Sequence, residues 1–274
     1  MFNPLEKLSD HQIEKLSKIR SYINDLDSVC IAYSGGVDST LVTSLAFEQL
    51  GPKAIAITGV SPALANSLLE EARSQAKWIG VKHLEIDTSE LDHEGYSKNP
   101  KDRCFACKKE LHKHTTYLSK KLNYKVVLDG VNLDDLTDYR PGIEAAKKAG
   151  VISPLAKFKF SKKDIRDISR ALGFPWWDKP AQPCLSSRFP YGHEITNKRL
   201  KMVEKGEEYI KKRGISEVRV RCQGSSARIE IPKNELQDFL QNFDLERLVA
   251  YFSELGFKCT SLDLEGLISG KLNR

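Results

Sequence analysis

The sequence has no apolar run that approaches the ~18 to 20 residues needed to cross a bilayer. Its first residues, Met-Phe-Asn-Pro-Leu-Glu-Lys, lack the basic start and apolar stretch of a secretory signal peptide. It also has no internal repeat, no coiled-coil heptads and no low-complexity tract. These absences argue against a membrane-spanning, exported or fibrous protein, so we expect a cytoplasmic one.

The composition is that of a globular chain with a modest excess of positive charge. Of its 274 residues, 40% are hydrophobic, and 43 lysines and arginines outnumber 37 acidic residues, which gives a net charge of +6. This balance favours anionic ligands, but charge alone does not separate a nucleotide from a nucleic acid. The length suits one large domain or two ordinary ones.

Apolar stretches alternate with amphipathic ones in the rhythm of βαβ units through the first half of the chain. Strands are predicted at residues 29–33, 54–59, 83–86 and 125–129, with helices between them. The fold class predicted is therefore α/β, with a mostly parallel sheet covered by helices on both faces.

A glycine-rich turn, Ser-Gly-Gly-Val-Asp-Ser at residues 34–39, follows the first predicted strand. Gly35 and Gly36 permit positive φ and let backbone N–H groups approach an anion, while Asp38 and Ser39 begin a helix whose positive end points at the same place. No Gly-Lys-Ser/Thr follows, so this is not a Walker loop. A glycine pair alone is usually a simple turn, but this hexapeptide between strand and helix predicts a phosphate site.

Two further loops follow the second and fourth predicted strands. The first is Thr-Gly-Val-Ser-Pro at residues 58–62, and the second covers residues 129–142. Ligands of open α/β sheets bind beyond the carboxyl ends of the strands, so these loops are expected to converge with the glycine-rich turn. We expect Thr58, Gly130 and Arg140 to contribute to a nucleotide site there.

The composition changes after Trp177, where a long segment is rich in proline and small polar residues and shows no helical or alternating hydrophobic pattern. Loops of this length in a compact chain are usually functional or disordered. A helix, a strand pair joined by Gln-Gly-Ser-Ser, a further helix and a final strand follow. We predict two domains, residues 1–188 and a smaller α+β domain at residues 189–274.

The six cysteines form two groups. Cys30, Cys222 and Cys259 lie in apolar strand-like settings and are predicted to be buried, inert thiols. The second group stands among cations, serines and proline, and it consists of Cys104, Cys107 and Cys184. One C-x-x-C pair is weak evidence for zinc, whereas three thiolates suit a [4Fe-4S] cluster with one open iron. A purely structural role for Cys104 and Cys107 is the competing interpretation.

Several motifs together carry a family resemblance. The glycine-rich turn resembles the PP-loop of the ATP pyrophosphatases, which split ATP into AMP and pyrophosphate. With Arg-Cys-Phe-Ala-Cys-Lys, Pro-Cys-Leu-Ser-Ser-Arg-Phe-Pro-Tyr-Gly, Val-Arg-Val-Arg and the closing Leu-Asp-Leu-Glu-Gly-Leu, nearly the whole chain resembles the LarE family. These are sulfur transferases of nickel-pincer nucleotide biosynthesis. The resemblance implies that ATP adenylates a carboxylate of pyridinium-3,5-biscarboxylic acid mononucleotide and that sulfur then displaces AMP to give a thiocarboxylate.

The resemblance also implies roles for residues. ATP would be held by the PP-loop residues Ser34, Gly35, Gly36, Asp38 and Ser39, with Asp38 helping to place Mg²⁺. The mononucleotide would be held by Arg188, Arg219, Arg221, Glu207 and Glu230. Cys104, Cys107 and Cys184 would bind a [4Fe-4S] cluster that delivers sulfur; otherwise Cys184 would give up its own sulfur and become dehydroalanine. A homo-oligomer and other nickel-pincer biosynthesis proteins are the expected partners.

Spacing alone supports two interpretations of the arginines. Arg219 and Arg221 stand two apart on a predicted strand, so they share a face and suit a phosphate clamp. Charged residues on an edge strand also discourage aggregation.

Three alternative functions stay open on the sequence. A tRNA thiolase shares the PP-loop and the cysteine chemistry, but the chain has no recognisable RNA-binding module, so no nucleic acid is expected. An amide ligase of the NAD synthetase type shares the PP-loop but has no need of the three cysteines. A cysteine-bearing scaffold would bind nucleotide without forming an adenylate.

Overall fold

The computed structural model describes residues 4–137, 141–268 and 270–271, and these residues cluster into two compact units. The first unit contains Met1–Glu90 and Asp102–Gln182, and the second contains Leu91–Lys101 and Pro183–Arg274. The segment that carries Cys184 and Arg188 therefore groups with the second unit, whereas the sequence-based boundary was drawn after Arg188. Every helix among the described residues is too short or too polar to span a bilayer.

The first unit has a parallel sheet with the order β3-β2-β1-β4. Its strands are β1 (Val29–Ala32), β2 (Ala54–Val60), β3 (Lys82–Asp87) and β4 (Val126–Leu128). Its helices are α1 (Asp10–Asn24), α2 (Val37–Leu50), α3 (Asn66–Ile79), α5 (Arg103–Lys121), α6 (Pro141–Lys148), α7 (Pro154–Lys157) and α8 (Lys162–Ala171). All four strands of this described sheet were predicted from the apolar runs, within one residue at each end.

Helices cover both faces of this sheet. In β1, Val29 and Ile31 pack in a cluster with residues of α1, α2 and α8. Cys30 lies between them and so points to the opposite face, where it packs with residues of α5 and α6. Every residue of β1 is buried, as expected for a central parallel strand. The predicted α/β class with a PP-loop arrangement is thus confirmed.

The second unit has a small mixed sheet with the order β5-β6-β7. Its strands are β5 (Arg219–Gln223), β6 (Ser226–Glu230) and β7 (Cys259–Leu262), and its helices are α4 (Glu94–Ser97), α9 (Asn197–Lys211), α10 (Leu236–Asn242) and α11 (Leu245–Leu255). Strands β5 and β6 form an antiparallel hairpin, and Gly224 in its turn has a φ of 63°, which suits a tight two-residue connection. The α+β character predicted for this region is confirmed.

Candidate functional site

The glycine-rich turn joins β1 to α2 and leaves the start of α2 open to an anion. Gly36 is the N-cap residue, and no side chain in the described part of the chain caps the first N–H groups of the helix. Because those N–H groups have no partner within the helix and the helix dipole adds positive potential, this end suits phosphate. The hydroxyls of Ser34 and Ser39 lie 3.2 Å apart at the same place. The PP-loop residues thus lie together at the start of α2, and their contact with a nucleotide stays a prediction.

Two glycines allow the turn to be packed this tightly. Gly35 has a φ of +69°, and a Cβ built there would lie 3.0 Å from the Cβ of Ala72 in α3. A Cβ on Gly130 would lie 2.7 Å from the backbone nitrogen of Ser39. The loop after β4 is thus packed directly on the PP-loop, and Gly130 serves that close approach.

The carboxylate of Asp38 is held by two polar side chains. The amide nitrogen of Asn132 donates to Oδ1 at 3.1 Å, and Nζ of Lys162 lies 2.6 Å from Oδ2. Asn132 belongs to the loop after β4 that was expected to converge here. Lys162 was missed by the sequence analysis, because it stands 124 positions from Asp38. Its local signal, the Ser161–Asp164 capping box, marks only the start of α8.

A second lysine contacts the PP-loop and was also missed. Nζ of Lys179 donates to the carbonyl oxygen of Gly35 at 3.3 Å and forms an ion pair with Glu71 of α3. The carboxylate of Glu71 therefore already balances its charge. Lys179 belongs to the irregular segment after Trp177, so this segment contributes a side chain that contacts the PP-loop.

Thr58 is buried and engaged with other protein groups. Its hydroxyl donates to the carbonyl oxygen of Tyr33 at 2.7 Å and lies 2.8 Å from Nε2 of His83. Burial lowers the pKa of His83, so the neutral ring is favoured at this position. The Thr58 hydroxyl thus joins β2 to its neighbours, and its predicted nucleotide contact stays a prediction. Arg140, the other predicted nucleotide contact, lies outside the described residues.

The C-x-x-C pair lies in the first two turns of α5, where Cys104 is exposed and Cys107 is half-buried. His112, two turns after Cys104, is fully buried, and neither ring nitrogen has a hydrogen-bond partner among the residues that the structure describes. Burial, followed by the charge of Lys108, lowers the pKa of His112 to about 3. This residue is therefore neutral at physiological pH.

The three cysteines predicted to be inert differ in their surroundings. Cys30 and Cys222 are buried in β1 and β5, and burial raises the pKa of Cys30 to about 12. Cys259 lies in a strand, as predicted, but its side chain is exposed, so the prediction of burial was wrong for it. It begins β7 at the side of the sheet where only β6 pairs with it among the described strands.

In the second unit, Cys184 immediately precedes a 3₁₀ turn at Leu185–Arg188 and is half-buried. The Arg188 guanidinium donates to both carboxylate oxygens of Glu207 at 2.8 and 3.0 Å, and to the backbone oxygens of Pro183 and Cys184. Glu207 also accepts from the backbone nitrogen of Val220 at 3.0 Å. This buried pair therefore connects the Cys184 turn to α9 and β5.

The two arginines of β5 have different environments. Arg221 is 3% exposed, and its guanidinium donates to Glu230 at 2.7 and 2.9 Å and to the carbonyl oxygen of Ser187 at 2.7 Å. Arg219 is half-buried, and within the described part of the chain it has no ion pair. Burial, then the charges of Arg221 and Arg188, lowers the pKa of Arg219. A half-buried guanidinium that forms no ion pair within the described residues is suited to an anionic group of a ligand.

The described residues contain no group of three or more His, Cys, Asp or Glu side chains placed to hold a metal ion. Cys104 and Cys107 belong to the first unit and Cys184 belongs to the second, so the [4Fe-4S] cluster stays a prediction from the sequence.

No protein-family model matches the chain. It is 52% identical to an uncharacterized protein of Synechocystis sp. over 260 residues, which cover 95% of this chain and 97% of the relative. An uncharacterized protein of Methanocaldococcus jannaschii is 33% identical over 258 residues, which cover 92% and 97% of the two chains.

The third relative is named pyridinium-3,5-bisthiocarboxylic acid mononucleotide synthase and comes from Lactiplantibacillus plantarum. It is 34% identical over 260 residues, which cover 94% of both chains. The chain belongs to the LarE family. In this LarE-family chain, the similarity runs through both the PP-loop unit and the unit that carries Cys184.

Proposed function

We propose that this chain is an ATP-dependent sulfur transferase that adenylates the carboxylates of pyridinium-3,5-biscarboxylic acid mononucleotide and converts them to thiocarboxylates. The observation that carries the proposal is the similarity to the synthase of Lactiplantibacillus plantarum over 94% of the chain. The open start of α2 at the PP-loop supports the ATP-dependent step. Assembly into a homo-oligomer and contact with other proteins of nickel-pincer biosynthesis stay predictions.

The first step activates a carboxylate, which is otherwise inert to sulfur because its leaving group would be oxide. A carboxylate oxygen of the substrate attacks the α-phosphorus of ATP, the bond to the β-phosphate oxygen breaks, and pyrophosphate leaves with the electron pair. The start of α2 and the hydroxyls of Ser34 and Ser39 are the groups we expect to receive the pyrophosphate.

Asp38 is the group that fits a magnesium ion. Mg²⁺ in nucleotide sites is usually held by one or two carboxylates together with phosphate oxygens, and Asp38 supplies one carboxylate at the start of α2. When bound, the ion would neutralise phosphate charge. Asn132, which donates to the same carboxylate, would keep it oriented.

The substrate phosphate is assigned to Arg219. Among the three predicted arginines, Arg188 and Arg221 are each engaged by a buried carboxylate, of Glu207 and Glu230 respectively. Arg219 shares the strand face of Arg221 but has no ion pair within the described residues. We therefore expect Arg219 to bind the phosphate and the two ion pairs to hold the surrounding backbone.

The second step transfers sulfur at Cys184. Its thiolate attacks the acyl carbon of the adenylate, a C–S bond forms, and AMP leaves with the electron pair. Loss of the Cα proton of Cys184 and cleavage of its Cβ–S bond then release the thiocarboxylate and leave dehydroalanine. Delivery by a [4Fe-4S] cluster stays a sequence-based prediction.

Pyrophosphate release with different substrates tests the enzyme class. We expect purified protein with ATP and Mg²⁺ to release pyrophosphate when the pyridinium dicarboxylate mononucleotide is added. Transfer RNA, or nicotinic acid adenine dinucleotide with ammonia, should not replace it. Release that depends on tRNA would favour the thiolase instead, and ATP binding without any release would favour a scaffold.

The mass of the protein after one turnover tests the source of sulfur. Consumption of Cys184 predicts a loss of about 34 Da, the mass of H₂S, as cysteine becomes dehydroalanine. An unchanged mass, together with iron and more than one sulfur transferred per chain after anaerobic reconstitution, would instead support the cluster. A Cys104→Ala variant provides the control, since it should lose a cluster but keep a sacrificial Cys184.

A further inference from the structure

The segment Leu91–Lys101 interrupts the first unit in sequence but groups with the second unit. It contains α4, and it places Tyr96 against the turn that follows Cys184. The hydroxyl of Tyr96 lies 2.6 Å from Oγ of Ser186, and both side chains are buried. Ser186 belongs to the 3₁₀ turn at Leu185–Arg188. A tyrosine that stands 88 positions before Cys184 is therefore hydrogen-bonded two residues after it.

Asn99 anchors the same segment to the chain beyond the turn. Its φ of 54° is left-handed, a conformation that asparagine adopts more readily than most residues. Its side-chain nitrogen donates to the carbonyl oxygens of Phe189 and Pro190 at 3.2 and 2.7 Å, and its own carbonyl oxygen accepts from the N–H of Gly192 at 2.9 Å. These bonds fix the backbone from which the Tyr96 side chain projects.

The orientation of the Cys184 thiol depends on the backbone of this turn. The thiol forms no hydrogen bond within the described residues, while the carbonyl oxygen of Cys184 accepts from the N–H of Ser187 at 3.0 Å and from Arg188. The Arg188–Glu207 pair holds the end of the turn. The hydrogen bond from Tyr96 holds its middle, so the turn is attached at two points.

Packing of the aromatic ring does not explain the Tyr96 hydroxyl, because a phenylalanine would fill nearly the same volume. Tyr209 of α9 provides the contrast within the same unit. Its ring stacks on Tyr251 with the centroids 4.3 Å apart, and its buried hydroxyl has no hydrogen-bond partner within the described residues. The unit thus buries one tyrosine for its ring, whereas the Tyr96 hydroxyl reaches the Cys184 turn.

We propose that Tyr96 is a positioning residue for sulfur transfer, and that its hydrogen bond with Ser186 holds the turn so that the Cys184 thiolate faces the acyl carbon of the adenylate. The proposal rests on the proposed function, because it assigns a residue to the sulfur-transfer step. Tyr96 acts through Ser186 and the backbone of the turn. A displacement of about 1 Å at a reacting group can slow a reaction about a hundredfold, so a small shift of the turn is sufficient.

Single-turnover kinetics of Tyr96→Phe tests the assignment. We expect thiocarboxylate formation to slow at least about tenfold. The KM for the mononucleotide and the release of pyrophosphate should stay as in the wild type, because we assign these to Arg219 and the PP-loop. Tyr209→Phe is the matched control: it removes a hydroxyl from another buried tyrosine of the unit and should transfer sulfur as the wild type does.

A double variant separates positioning from a loss of stability. Tyr96→Phe leaves the buried Ser186 hydroxyl without this partner, so its thermal unfolding midpoint should fall. Combining it with Ser186→Ala removes both hydroxyls and should restore most of the midpoint, which also covers the case in which the single variant is too unstable to assay. The double variant should still transfer sulfur slowly. Recovery of sulfur transfer together with stability would overturn the proposal.

Alkylation of Cys184 by iodoacetamide, followed by peptide mass spectrometry, is independent of the reaction. A loosened turn should expose the half-buried thiol, so labelling of Cys184 in Tyr96→Phe should accelerate about threefold or more, with Cys104 unchanged. Equal labelling in Tyr96→Phe and the wild type would overturn the proposal and leave the proposed function standing. A wild type that makes no thiocarboxylate, with faster labelling in Tyr96→Phe, would contradict the proposed function and keep Tyr96 as the residue that holds the turn.

Discussion

At Gly130, a methyl group would occupy space that the backbone of Ser39 already fills. The built Cβ lies 2.7 Å from the Ser39 nitrogen and 2.9 Å from its Cα, and both are backbone atoms that cannot rotate away. The absence of a side chain therefore sets how closely the loop after β4 approaches the PP-loop. This is a requirement of packing, because Gly130 is not among the glycines with positive φ.

Gly130→Ala is therefore expected to displace the PP-loop. Overpacking of this kind costs about 1 to 3 kcal/mol in the free energy of unfolding, and ATP binding should weaken with it. Gly95→Ala is the control, since a Cβ there meets nothing within 4 Å. Denaturant unfolding and ATP titration measure both effects; equal behaviour of the two variants would contradict the packing argument.

His112 predicts a pH dependence of stability. Its pKa of about 3 in the folded chain lies below the ordinary value of 6.5, so the unfolded chain binds a proton that the folded chain does not between these values. Stability should therefore fall as pH drops below about 6.5, by up to about 1.4 kcal/mol per pH unit for this residue.

His112→Leu should lose that part of the acid sensitivity, and it replaces two unpartnered ring nitrogens by apolar atoms. Unfolding by urea at pH 7.5, 6.5 and 5.5 measures the slope. His93→Leu, at an exposed position, should keep the slope of the wild type. Parallel curves for the His112 variant and the wild type would refute this assignment.

At the scale of elements, the Cys184 turn depends on a buried ion pair. Arg188 and Glu207 have side chains 9% and 5% exposed, and through them the turn is joined to α9 and β5. Removing one partner of such a pair leaves a buried charge without compensation.

Glu207→Gln should therefore lower the free energy of unfolding by about 3 kcal/mol and reduce sulfur transfer. Glu208→Gln is the neighbouring control. Glu208 forms a surface pair with Lys212 at 3.7 Å, and the two side chains are 41% and 76% exposed. Glu208→Gln should therefore lower the free energy of unfolding by less than about 1 kcal/mol. Similar unfolding midpoints for the two variants would show that the buried pair does not hold the turn.

The two arginines of β5 are expected to respond differently to substitution. Arg219→Gln should raise the KM for the mononucleotide about tenfold. It should change stability little, because the substitution breaks no ion pair within the described residues. Arg221→Gln should instead destabilise the fold, because the fully buried Glu230 loses its two short hydrogen bonds from a guanidinium and keeps only the 3.4 Å contact with Arg228. Steady-state kinetics and thermal unfolding distinguish the two, and a reversed pattern would reassign the phosphate contact.

At the scale of the whole molecule, the sequence predicted the features that depend on local sequence patterns, namely the strands and the hairpin. Apolar runs located β1 to β4, and Gln-Gly-Ser-Ser located the hairpin of β5 and β6. Burial of Cys259 was predicted from the same kind of pattern and was wrong, because strand periodicity does not say which strand ends lack a covering neighbour. Lys162 was missed for a related reason: its contact with Asp38 depends on how α8 packs beside α2, and no local pattern encodes that.

The two ion pairs of the second unit show the same limit. Family motifs pointed to Arg188, Arg221, Glu207 and Glu230 as substrate contacts, but a motif records which residues occur and not which of them compensate each other. The structure pairs them, and of the three arginines predicted to bind substrate, Arg219 alone has no ion pair within the described residues.

Formation of the thiocarboxylate nucleotide by wild type and by Cys184→Ser is the most direct test of the account. With ATP, Mg²⁺ and the pyridinium dicarboxylate mononucleotide, we expect both proteins to release pyrophosphate, since the PP-loop is intact in each. Mass spectrometry of the nucleotide should then find the thiocarboxylate with the wild type and none with Cys184→Ser. Thiocarboxylate made by Cys184→Ser, or a wild type that releases pyrophosphate and adds no sulfur, would contradict sulfur transfer at Cys184.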